Sequence, residues 1–230
     1  RISISGHIET GEGETDTQFN GTIFFRLYDS KGTITTKGNT GDTPFTYTAW
    51  NKELGNGSDS VQNGRFSSTI IIPKDINYSD ENGRLVFYAV NKDLSTEANG
   101  SNEDFLVGGY SEKINTDSVG PDIFMYLNDE DFQDGDAVNA QPVFVAELYD
   151  ESGIQYNGNG IGHDLQLCID GDPKKTYNLN GYYTQKTGDY TRGIVSFADM
   201  QELEPGAHWL SFRSWDMLNN TSVKTAKFVV

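Results

Sequence analysis

Only one cysteine, Cys168, stands in 230 residues, so no disulfide can close within the chain. That leaves two settings open, the cytosol or a large exported bacterial protein whose cores need no staples. No window approaches the ~18–20 consecutive apolar residues of a membrane-spanning helix. Positive charge is scarce: 17 Lys and Arg face 34 Asp and Glu, a net charge of −17. The deficit is shared, with ten basic against seventeen acidic residues in 1–118 and seven against seventeen in 119–230. Such a field repels phosphate backbones and anionic lipid, which argues against nucleic acid and membrane surfaces as partners. Helix signals are nearly absent. The one stretch with helical character, Ser196–Leu203 before Pro205-Gly206, reads equally well as a loop.

What is present is the pattern of half-exposed sheets. Apolar residues make up 35% of the chain and aromatic residues 12%, enough to argue against disorder. Alternation predicts strands over 1–5, 22–28, 45–49, 66–72 and 85–90, and over 121–127, 143–149, 164–169, 193–197, 208–215 and 225–230. Asp29–Gly32, Leu54–Ser58 and Asn63-Gly64 read as turns, and 91–104 as a long polar loop. Asn63-Gly64 ahead of Phe66–Ile72 is the sharpest hairpin signal, and Pro73 ends that strand. Asp117-Ser-Val-Gly120-Pro121 marks a boundary. The expected fold is all-β: two immunoglobulin-like antiparallel β-sandwich domains in tandem, 1–118 and 119–230. Opening at Arg1 on a strand pattern, without Met or a leader, the chain reads as a piece of something longer.

Few residues qualify for chemistry. Cys168 falls on the face opposite Leu165, Leu167 and Ile169 with no base at a useful spacing, which favours an idle thiol over a nucleophile. His163 and His208 each sit where a strand begins; they either meet in space or each fix a loop to a sheet edge, and no third zinc ligand stands at a recognised spacing. The acidic run Asn128–Asp136 invites calcium, but Gln133 and Ala140 break the EF-hand pattern; a looser calcium loop and a solvated hairpin tip both remain open. Gly158-Asn-Gly160-Ile-Gly162 is half a dinucleotide fingerprint without its helix. Trp50, Trp209 and Trp215 are either core aromatics or a sugar platform. A sandwich can also bring carboxylates together from distant strands, which spacing does not show.

In order along the chain stand Asp117-x-x-Gly-Pro-Asp-Ile, Val138-Asn139, Asp150-Glu-Ser-Gly153-Ile154, Gly158-x-Gly160-Ile-Gly162-His163-Asp164, Asp170-Gly171, Gly206-x-His208 and Trp215-Asp216-x-x-Asn219-Asn220. This series resembles the C-terminal region of the gingipain-like cysteine peptidases that act as sortases of the type IX secretion system in Bacteroidetes. Phe19-Asn-Gly-Thr, Asn63-Gly64-x-Phe66 and Pro73-Lys-Asp-Ile-x-Tyr78 resemble the preceding β-domain of that family. The resemblance implies a parent enzyme at the cell surface, on the outer-membrane exterior, that removes the C-terminal signal domain of secreted cargo and joins the new end to lipopolysaccharide. It implies as partners an upstream peptidase domain carrying the catalytic Cys and His, and an outer-membrane β-barrel protein. No position here matches that catalytic motif, so the 230 residues are expected to hold no catalytic residue, cofactor or metal. In the matching motif Asp164 and Asp216 take corner hydrogen bonds, Trp215 packs the core and the glycines permit turns. Two Asp-Ser-Val triplets, at Ser60 and Ser118, resemble the O-glycosylation acceptor of exported proteins of these bacteria. Two other readings stay open: a carbohydrate-binding or adhesion module of a surface protein, and a β-sandwich hydrolase, which requires converging carboxylates.

Overall fold

The computed structural model describes residues 1–109, 116–158 and 162–230, and it is an all-β sandwich protein built on antiparallel ladders. The chain divides into two compact units, Arg1–Ile114 and Asn115–Val230, just ahead of the Gly120-Pro121 pair.

The first unit contains β1 (Ile2–His7), β2 (Gly21–Tyr28), β3 (Gly32–Thr35), β4 (Thr46–Ala49), β5 (Glu53–Val61), β6 (Arg65–Ile70), β7 (Glu81–Asn82), β8 (Arg84–Asn91), β9 (Glu97–Asn102) and β10 (Leu106–Val107). A four-stranded sheet runs β5-β2-β8-β9, and the β1-β6 ladder packs on it through Ile4, Ile70, Phe25, Leu27 and Leu54. The Asn63-Gly64 turn is present, with both residues at positive φ, 51° and 73°, as a tight hairpin requires. Two sequence expectations are overturned. Leu54–Ser58 is the middle of β5 and not a turn: Gly55 lies under Ile70, where a Cβ would stand 2.8 Å from Cδ1. Its small residues leave room for a packed strand. Residues 91–104 are likewise no loop, because Glu97–Asn102 pairs in register with β8 as a polar edge strand.

The second unit contains β11 (Asp122–Leu127), β12 (Phe144–Tyr149), β13 (Ile154–Gln155), β14 (Gln166–Ile169), β15 (Thr176–Asn178), β16 (Tyr183–Lys186), β17 (Asp189–Phe197), β18 (Ala207–Asp216) and β19 (Thr221–Val229). One sheet runs β11-β12-β17-β16; in the other, β18 is central, with β19 on one side and β13 and β14 on the other. Alternation puts Leu165, Leu167 and Ile169 inward, with Leu210 and Phe212 of β18 and Phe228 of β19, against Leu127, Phe144, Leu148 and Val195. Phe144 and Phe212, both fully buried, meet with ring centroids 5.1 Å apart. No helix forms over Ser196–Leu203. β17 runs through Phe197, and the irregular segment after it drops Met200 and Leu203 into the core.

Candidate functional site

Three strand ends of the second unit converge. Asp122 at the start of β11 is registered with Tyr149 at the end of β12, and Ile154 of β13 with Asp216 at the end of β18. One end of this sandwich therefore collects Asp117, ahead of β11, Asp150, just after β12, and Asp216. A carboxylate oxygen from each lies within 4.8 Å of the others. Asp216 is 0% and Asp150 7% exposed.

Each aspartate also shapes a turn. Asp216 Oδ1 accepts from the Leu218 N–H at 2.9 Å and the Asn220 N–H at 2.6 Å, and Oδ2 accepts from Asn220 Nδ2 at 2.8 Å. Asn220 Nδ2 also donates to the Asp117 carbonyl at 3.2 Å. Asn219 takes positive φ, 70°, inside this corner. Asp150 Oδ1 accepts from the Ser152 N–H at 2.7 Å, the Ser152 hydroxyl donates to Asp117 Oδ2, and the Met217 N–H donates to the Gly153 carbonyl at 3.1 Å. Neither Asp150 nor Asp216 pairs with a Lys, Arg or His among the described residues. Burial, and then Asp216 and Asp117 beside it, push the Asp150 carboxyl up to about 6. Burial likewise raises Asp216 despite its hydrogen bonds. At an effective dielectric near 20, two unit charges at such separations repel by roughly 3–4 kcal/mol.

The other expected residues lie elsewhere. His163 and His208 do not meet: His163 stacks on Trp215, ring centroids 4.3 Å apart, at the far end of β18 from His208, about 20–25 Å away by strand rise. His208 Nδ1 donates to Asp170 Oδ2 and Nε2 to the Glu204 carbonyl, both at 2.8 Å. The Glu204 carbonyl first, then Asp170, hold its pKa above the ordinary value against the effect of burial. Burial works to raise Asp170, but hydrogen bonds from His208 and the Trp209 N–H outweigh it and leave the carboxyl below the usual range. Asp164 Oδ1 accepts from Asn180 Nδ2 at 2.7 Å. Trp215 does not pack the core: it is half-buried on the other face of β18, paired across the ladder with the fully buried Gln155. Gly153 and Gly162 take positive φ, 78° and 82°. Gly160 lies outside the described residues.

Cys168 lies in β14 between Leu167 and Ile169, its Sγ directed at the Ile169 and Asp172 carbonyls. In Asn128–Asp136 the carboxylates cap backbone instead of converging: Asp129 accepts from the Asp131 N–H, Asp136 from the Gln133 N–H and Asp134 from the Lys227 N–H. Trp209 is 41% exposed, while Trp50 is half-buried under Lys31 and Arg84. Ser60 and Ser118 are both exposed.

A crystal structure of dimeric latent PorU from Porphyromonas gingivalis is similar over 99% of this chain, at 33% identity and a TM-score of 0.56. The chain is PorU-like. It spans 21% of the PorU chain in that structure. No protein-family model and no curated protein matches the sequence. The PorU likeness agrees with the resemblance carried by the ordered motifs, which include all three aspartates of the cluster. Sequence reasoning left Asp117 and Asp150 out of the candidate site. The available signal was the repeated pattern of an Asp at a strand boundary followed within two to four residues by Gly or Asn, in Asp117-x-x-Gly, Asp150-x-x-Gly and Asp216-x-x-Asn-Asn.

Proposed function

We propose that this chain is a non-catalytic accessory region of a gingipain-like cysteine peptidase that works as a type IX secretion sortase at the cell surface. Its task is to support the peptidase domain and dock the outer-membrane β-barrel partner. The observation that carries this reading is the likeness to PorU over 99% of the chain at 33% identity. The sequence motifs support the placement at the C-terminal end of the parent. The surroundings of Cys168 agree, because the hydrogen-bond partners of its Sγ among the described residues are the backbone carbonyls of Ile169 and Asp172. No helix among the described residues is long and apolar enough to cross a membrane. Rigid sheets with variable loops suit a docking role.

The test is to incubate the isolated chain with cargo bearing its C-terminal signal domain and to assay, side by side, capture of the β-barrel partner. Capture without cleavage is the expected result. Cleavage that disappears in Cys168→Ala overturns the non-catalytic assignment, and failure to capture the partner overturns the docking role. A second reading has one observation in its favour: Trp209, half open to solvent, borders a cleft with Phe132, Lys224 and Lys227, as a sugar platform would. Glycan-array binding lost in Trp209→Ala decides for it.

A further inference from the structure

The geometry points to a slot in the first unit that takes up one extended segment of another polypeptide, apolar at alternate positions and basic at its ends. The smaller layer of that sandwich is one strand short. β5-β2-β8-β9 form a sheet of four strands, whereas the ladder packed on it consists of β6 and β1 alone. Ile4 of β1 clusters with Phe25 and Leu27 of β2 and with Leu85 and Phe87 of β8, so β1 stops above β8 and leaves β9 uncovered. Gly100 of β9 is registered with Phe87 and therefore shares its inner face. A Cβ at Gly100 would meet no atom beyond its chain neighbours within 4 Å, so the space over it is open. That space is a cleft of about 940 Å³ between β1 and β9. Every residue from Ile2 to Glu9 lines it, whichever way its side chain points, so the edge of β1, backbone included, faces the cleft. Neither β1 nor β9 has a second ladder partner among the described residues.

An open strand edge is an ordinary feature, and β9 blunts its own with Glu97, Asn99 and Asn102. The edge of β1 differs because apolar rings lie beside it. Phe87 and Phe66, ring centroids 5.7 Å apart, are half-buried, as are Leu85 and Phe105, and Ile2 and Leu106 stand exposed on the rim. A strand added to β1 would bond to its free amides and carbonyls and seat every second side chain on those rings. β1 and β9 each run for six residues, about 20 Å at strand rise, so a segment of similar length fills the cleft. β-branched residues at alternate positions suit such a surface. Charge sets the ends: the lining carries Glu9 and Asp104, both exposed, and no Lys or Arg. A second copy of a chain with net charge −17 would set these acids against its own, whereas a separate segment with basic ends complements them. Such a slot is independent of whether the parent is a sortase.

The experiment titrates the 230-residue chain calorimetrically with the end-blocked peptide Lys-Val-Thr-Val-Ser-Val-Lys and follows amide exchange in β1. One control peptide carries proline in place of the adjacent threonine and central valine, so that a missing N–H faces β1 whichever way the strand pairs. The other carries glutamate in place of both lysines. The expected result is one peptide bound per chain, slower amide exchange in β1, and binding at least about tenfold weaker for both controls. Gly100→Trp fills the cleft from its floor and abolishes binding while the melting temperature stays equal or rises. If Gly100→Trp does not fold, Gly100→Leu carries the same expectation. The double variant Glu9→Lys, Asp104→Lys reverses the preference toward the glutamate peptide. The proposal is overturned if the valine peptide shows no saturable binding at millimolar concentration, if the proline peptide binds equally, if the folded Gly100 variants retain binding, or if the double variant keeps its preference for lysine ends. A wild-type dimer in sedimentation that Gly100→Trp separates assigns the cleft to a second copy and also overturns it.

Discussion

Buried aspartates in this chain meet two fates, and the difference lies in what faces them. Asp29, 0% exposed, accepts the N–H groups of Ser30 and Asn77 at 2.8 and 2.7 Å and has Lys52 Nζ at 3.5 Å, so its charge is answered. Asp150 meets other carboxylates. Between these extremes stands Asp170, held by His208, and this pair makes a pH prediction. Both partners of the His208 ring are acceptors, so both ring nitrogens donate and the imidazolium is favoured. A histidine whose folded pKa is raised contributes stability that is complete below its unfolded value, about 6.5, and is lost as pH rises through the folded value. Asp170, lowered, contributes above its unfolded value near 3.9 and loses that contribution as pH falls through the folded one. The two effects overlap between about pH 4 and 6.5. The melting temperature of wild type minus that of His208→Gln should therefore be greatest near pH 5–6 and shrink above pH 7. A difference that stays constant from pH 5 to 8.5 removes the imidazolium from the account.

At the scale of elements, close backbone approach decides where a residue is irreplaceable. Gly21 opens β2, and a Cβ there would lie 2.0 Å from the Val90 carbonyl oxygen of the neighbouring β8. That contact is with backbone, so the ladder itself must part. Gly21→Ala should cost roughly 1–3 kcal/mol, as overpacking against an unyielding neighbour does. Urea unfolding of the first unit measures it, and an unchanged midpoint refutes the argument. The same kind of reasoning explains what could be read along the chain. Strands with a covered face showed themselves by alternation, as in Leu165, Leu167 and Ile169, all 0% exposed. β5 and β9 did not, because Gly55–Ser58 and Asn99–Asn102 are made of Gly, Asn and Ser, residues that favour turns when nothing else decides. Tertiary pairing with β2 and β8 overrode that preference. The carboxylate cluster was illegible for another reason. Its members are tens of residues apart, and only the register of β11 on β12 and of β13 on β18 brings them to one end.

For the whole molecule, the question is how far stability is shared. The core of the second unit draws every buried member from between Met125 and Phe228, and the two clusters of the first draw theirs from between Ile4 and Val107. Each unit therefore closes its own hydrophobic interior, the condition for folding alone. A fragment of residues 115–230 should unfold cooperatively and show dispersed amide resonances. The variant Phe212→Ala makes the expectation specific: Phe212 is 0% exposed and packed on Phe144, so its loss should cost about 3–5 kcal/mol. In the full chain that cost should fall on one unfolding transition and leave the other at its wild-type midpoint. The melting of the 115–230 fragment should track the affected transition, with and without the substitution. If both transitions of the full chain move together, or if the fragment shows no cooperative unfolding, the two interiors are energetically one.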